Sequence, residues 1–91
     1  MSKIQITREY SLDKNNVRNE IQLLAEKLGS ELSVEYSWQE DRLLFNRSGV
    51  DGFIELGDGE LLLEIKLGML LTPLKGKIET TIRDYLEQHL S

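Results

Sequence analysis

Residues 31–67, ELSVEYSWQEDRLLFNRSGVDGFIELGDGELLLEIKL, decide the fold. Leu32, Val34, Tyr36 and Trp38 alternate with Ser33, Glu35 and Ser37, the period-two pattern of a half-buried strand. A two-residue turn at Glu40-Asp41 sets Trp38 opposite Leu43 and Tyr36 opposite Phe45. A second turn at Ser48-Gly49 sets Leu43 opposite Ile54 and Phe45 opposite Gly52, so that a large ring covers a bare glycine. Asp58-Gly59 has the composition of a type I′ hairpin and aligns Leu56 with Leu61, Ile54 with Leu63 and Gly52 with Ile65. All three registers put the large apolar side chains on one face. A slip of one residue in any hairpin would turn its apolar set to the other face, so this agreement predicts a four-stranded antiparallel meander.

On the N-terminal side, residues 3–9 alternate with Ile4 and Ile6 on one face, which predicts a further short strand. A helix follows. Asp13 is its expected cap, Leu12 and Val17 are placed to form a hydrophobic staple, and Val17, Ile21, Leu24, Ala25 and Leu28 make one apolar stripe that Gly29 terminates. On the C-terminal side, Thr72 as cap and Pro73 at the first helical position announce a second helix. Leu74, Ile78, Ile82, Leu86 and Leu90 repeat along it every four residues, with Tyr85 alongside. The expected order is β-α-β-β-β-β-α in a single α+β domain over residues 1–91. The architecture is a curved antiparallel sheet with both helices on its apolar face, similar to a shortened helix-grip domain. The first strand is expected beside the last.

Composition narrows the function classes. The chain is 30% charged with a net charge of −5, the wrong sign for a nucleic-acid partner and unfavourable for adsorption to an anionic membrane. There are no cysteines, hence no disulfide, thiolate ligand or thiol nucleophile. No segment has the roughly 18 apolar residues of a membrane span, and the N-terminus lacks the apolar block of a signal peptide, so a cytoplasmic location is expected.

Catalytic chemistry finds no purchase. His89 is the single histidine and stands next to Leu90 near the chain end, without an evident orienting partner or pocket. Glu55, Asp58 and Glu60 straddle a tight turn and lack the spacing of a calcium loop. Gly57-Asp58-Gly59 joins two strands and opens no helix, so it is no phosphate cradle. Lys75 and Lys77 fall in the first helical turns, where the helix dipole disfavours cations; the placement is read first as a solvated face and second as suiting an anionic partner. No cofactor, metal or catalytic residue is implied, and the chain is read as a non-enzyme.

The residues that stand out are apolar ones in polar company. In these registers Leu44, Phe53 and Leu62 point to the sheet face opposite the helices, with Leu44 paired directly to Phe53. The link Met69-Leu70-Leu71 is a second apolar site. Leu44, Phe53, Leu62, Leu70 and Leu71 are therefore the candidate binding residues.

Two segments carry a resemblance. Phe45-Asn46-Arg47-Ser48-Gly49-Val50-Asp51-Gly52 resembles the F-x-R-S-G-V-x-G stretch of the polyhydroxyalkanoic acid system family of small bacterial proteins. Residues 67–79, LGMLLTPLKGKIE, resemble that family's L-G-x-L-L-x-x-L-K-G-x-I-E, and Ile4, Ile6, Ser11 and Leu12 extend the likeness along the chain. The resemblance implies a gammaproteobacterial protein encoded with genes for the storage polyester polyhydroxyalkanoate. It brings no catalytic residues. In that setting the candidate apolar residues lead to the expectation of a non-enzymatic, granule-associated protein that meets polymer, a granule protein or a second copy of the chain as a homodimer. The rival expectation is a helix-grip domain holding an acyl or lipid-like ligand.

Overall fold

The computed structural model describes residues 2–90. Its elements are β1 (Ser2–Glu9), α1 (Lys14–Leu32), β2 (Glu35–Gln39), β3 (Arg42–Arg47), β4 (Val50–Leu56), β5 (Glu60–Leu67), a 3-10 turn (Met69–Leu74) and α2 (Lys75–Leu90). The strands form one open antiparallel sheet in the order β1-β5-β4-β3-β2. The order β-α-β-β-β-β-α and the α+β class are those read from the sequence, and so is every hairpin register. Trp38 faces Leu43, Phe45 faces Gly52, Ile54 faces Leu63 and Leu56 faces Leu61.

The inward side chains of the sheet meet both helices in a single core. Ile4, Ile6, Leu43, Phe45, Ile54, Leu61, Leu63 and Ile65 pack with Val17, Ile21, Leu24 and Leu28 of α1 and Ile78, Ile82 and Leu86 of α2. Each such buried aliphatic or aromatic side chain contributes about 1.5–3 kcal/mol relative to exposure, and those contributions hold a helix of this length to the sheet. No polar or charged residue is buried among the described residues. Trp38 is half-buried at the sheet margin, where its indole N–H donates to Gln22 Oε1 at 2.8 Å and the Arg18 guanidinium lies 4.0 Å from its ring centroid.

Three local expectations are corrected. First, α1 does not stop at Gly29; it runs to Leu32 and closes on Ser33 in the left-handed conformation (φ 58°). Gly29 serves packing instead, because a Cβ there would lie 3.2 Å from Tyr36 Cε1. Residues 32 and 33 therefore leave the predicted strand, and β2 begins at Glu35. Second, Asp13 holds the cap position but its side chain makes no capping bond, and Leu12 is exposed while Val17 is buried. Third, none of the hairpin turns is type I′. In each turn only one central residue has positive φ: Glu40 at 57°, Gly49 at 88° and Gly59 at 82°. Hairpin position follows from the apolar pattern, whereas turn type depends on backbone angles that the pattern does not specify.

Candidate interaction surface

One end of the molecule is assembled from the two segments that stood out in the sequence. The turn between β3 and β4 presents Ser48 and Gly49, and β5 leads there into Gly68. The Gly68 N–H donates to the Gly49 carbonyl at 2.9 Å, and the Leu71 N–H donates back to the Gly68 carbonyl at 3.0 Å. Thr72 was expected to cap α2, yet it lies inside the 3-10 turn. Its hydroxyl donates to the Gly68 carbonyl at 3.2 Å and accepts from the Ser2 hydroxyl at 3.1 Å, which ties the turn to the start of β1. Pro73 sits within the same turn, and α2 begins only at Lys75.

The consequence is a firmly held turn with apolar side chains on the outside. Leu70 is 94% exposed, Met69 78% and Leu74 41%. Leu74 was expected to open the buried stripe of α2. The 3-10 turn ahead of the helix rotates it out, while Ile78, Ile82, Leu86 and Leu90 are buried as the period requires. Leu71 faces the other way and packs on the core. A groove of about 340 Å3 runs between the turn and the hairpin, lined by Arg47, Ser48, Gly49, Met69, Leu70 and Leu71. A second, of about 290 Å3, separates the end of α1 from the start of α2 along Leu28, Leu32, Leu74 and Lys77.

The other candidates lie apart, on the outer sheet face. Leu44 pairs with Phe53 between β3 and β4, while Leu62 sits opposite Glu55 and Thr7, diagonal to Phe53. All three are half-buried. The Arg42 guanidinium lies 4.7 Å from the centroid of the Phe53 ring and also bonds Glu55 at 3.0 Å, and Lys3 meets Glu64 at 3.4 Å. Charged stems thus cover part of that face, and the structure does not bring Leu44, Phe53 and Leu62 together with Leu70 and Leu71. With Leu70, Met69 and Leu74 make up the exposed apolar residues of the turn, while Leu12 and Leu23 are exposed elsewhere. Met69 belonged to the apolar link read from the sequence as a second apolar site, whereas Leu74 was read as the start of the buried α2 stripe.

His89 is better placed than its position near the chain end implied. Its Nδ1 lies 3.1 Å from Glu20 Oε2, its ring stacks on Tyr85 with centroids 4.2 Å apart, and the Tyr85 hydroxyl donates to Glu20 at 3.3 Å. Burial, followed by the Glu20 charge, pushes the Tyr85 hydroxyl up to about 12. These three residues clamp α2 to α1. At the opposite end from the exposed turn, Lys14 bonds Asp41 at 2.7 Å, which holds that carboxyl below its ordinary range and raises the lysine. No group of three or more His, Asp or Glu side chains among the described residues is arranged to hold a metal ion, and no helix is long and apolar enough to cross a membrane.

No curated protein and no solved structure matches the chain. A family model does, and it spans residues 4–90, including both segments that meet at the exposed turn. With nearly the whole chain matched, the protein belongs to the polyhydroxyalkanoic acid system protein family.

Proposed function

We propose that the protein is a non-enzymatic component of polyhydroxyalkanoate storage that meets the granule surface, or a protein on it, through the end formed by residues 47–49 and 68–74. The observation that carries this reading is the exposure of Met69 and Leu70 on a turn held by four separate hydrogen bonds. A flexible loop would fold such side chains inward or lose entropy on contact. A pinned turn keeps them outward and loses little when they are covered. The outer-face residues Leu44, Phe53 and Leu62 are a weaker contact, because Arg42 and its neighbours already cover part of them.

The acyl-ligand alternative has less to stand on. Leu43, Ile54, Ile82 and Leu86 are fully buried where the sheet meets α2, so the space a helix-grip ligand would take is filled by side chains.

Co-sedimentation of purified protein with polyhydroxyalkanoate granules tests the reading. Burying one leucine is worth about 1.5–3 kcal/mol, so Leu70→Asp is expected to weaken binding at least about tenfold. Phe53→Ser is expected to change it less than about threefold, the order of a rim contact. Full retention of binding by Leu70→Asp, or no binding by the unaltered protein, would remove the turn from the account.

A further inference from the structure

The cations of this acidic protein are unevenly placed. Five of the eleven lysines and arginines form ion pairs: Lys3, Lys14, Arg18, Arg42 and Arg83. Among the described residues the other six, Arg8, Lys27, Arg47, Lys66, Lys75 and Lys77, have no carboxylate partner; the last four stand around the exposed turn, whereas Arg8 lies next to Glu9 toward the other end. Arg47 lines the groove beside Met69 and Leu70. Lys66 and Arg47 line the neighbouring depression with Gly68. Lys75 follows the turn directly, and Lys77 lies in the groove with Leu74. Arg47, Lys66 and Lys77 line these depressions with Asp51 and Glu31, Lys75 adjoins them and Glu35 stands opposite Asn46 beside Arg47, which leaves a local excess of one positive charge.

The opposite end is acidic. Glu40 and Asp41 form one turn there, Asp58 another, and Glu9, Glu55 and Glu60 stand on the adjoining strand ends. A strand of six residues separates the two ends by about 20 Å. The Debye length at physiological ionic strength is about 8 Å, so a surface touching the turn feels the far carboxylates at roughly a tenth of their unscreened strength. The net charge of −5 therefore does not describe what that surface meets.

Resting on the granule-contact reading, we propose that the exposed turn docks on an anionic phospholipid surface. Met69 and Leu70 enter the acyl region while Arg47, Lys66, Lys75 and Lys77 sit at the headgroups. Aliphatic tips ringed by long basic side chains match the layered chemistry of such an interface, whose apolar interior is bounded by negative charge. Bare polyester supplies no comparable charge. The acidic end then faces outward and keeps coated particles apart.

The test compares the full-length protein on three surfaces: vesicles rich in phosphatidylglycerol, vesicles of phosphatidylcholine alone, and lipid-free amorphous polyester particles. A net one charge at about 1 kcal/mol predicts partition onto the anionic vesicles about fivefold stronger than onto the neutral ones, with the difference lost in high salt. The triple change Lys66→Gln, Lys75→Gln, Lys77→Gln is expected to abolish that preference with an unchanged melting curve, since none of these side chains holds the fold. Leu70→Asp is expected to weaken binding to both vesicle types. Equal binding to anionic and neutral vesicles overturns the proposal. Binding to polyester without binding to vesicles also overturns it while leaving the granule reading intact. Vesicle binding without polyester binding supports it and removes direct polymer contact. A wild-type dimer that ignores vesicles and becomes a monomer on Leu70→Asp overturns it in favour of a second copy as the occupant.

Discussion

A Cβ placed on Gly52 would lie 2.4 Å from the Glu64 carbonyl oxygen and 2.9 Å from Ile65 Cα, both backbone atoms of the neighbouring strand. Neither can move without opening the β4–β5 ladder. Gly52→Ala is expected to cost about 3 kcal/mol, the upper range for forcing atoms into a packed core, read as a lower urea midpoint at unchanged slope. The pairing of Gly52 with Phe45 was legible in the sequence because the hairpin register fixes which residues face each other. The approach of the β5 backbone was not, since it depends on local sheet geometry rather than on residue type. Gly29 shows the same limit in reverse. A glycine after an apolar stripe reads as a helix stop, yet here the missing side chain makes room for the Tyr36 ring.

At the scale of elements, the helices are held at points that periodicity does not reveal. Arg47 reaches from β3 to the last turn of α1, its Nη1 donating to the Leu32 carbonyl at 2.5 Å and its Nε to the Ser48 carbonyl at 3.2 Å. A cation at a helix C-terminus satisfies an orphan carbonyl and opposes the dipole, so Arg47→Ala is expected to cost about 1 kcal/mol in equilibrium unfolding. Lysine at that position should restore part of the loss. The α1–α2 clamp gives a pH signature. With its folded value raised from 10.0 to about 12, Tyr85 contributes stability that is complete below pH 10 and is lost as pH rises through 12. Urea unfolding between pH 8 and 12 should show this loss, and Tyr85→Phe should reduce it. An identical alkaline decline in the variant would assign the effect to other groups. The α2 stripe was legible from Ile78 onward, whereas Leu74 was not, because a 3-10 turn and an α-helix direct a side chain at the same position differently.

At the scale of the molecule, alternating apolar residues in three consistent registers were enough to specify the sheet, its order and the face the helices cover. The functional end was legible only in part. Leu70 stood out as an apolar residue in a link, but its separation from Leu71 and the four unpaired cations around it required the chain to be folded. Charges distant in sequence, Arg47 and Lys66 on the sheet and Lys75 and Lys77 on α2, become neighbours only through the antiparallel topology. Net charge describes the chain, and its distribution describes the surface. The most direct test of the central claim, that the protein meets the storage granule through its exposed turn, is the location of a fluorescently tagged copy in cells accumulating polyhydroxyalkanoate. The account predicts rings at granule margins for the wild type and diffuse fluorescence for a Met69→Asp, Leu70→Asp double variant of unchanged abundance. Diffuse wild-type fluorescence, or rings that survive the double substitution, would contradict it.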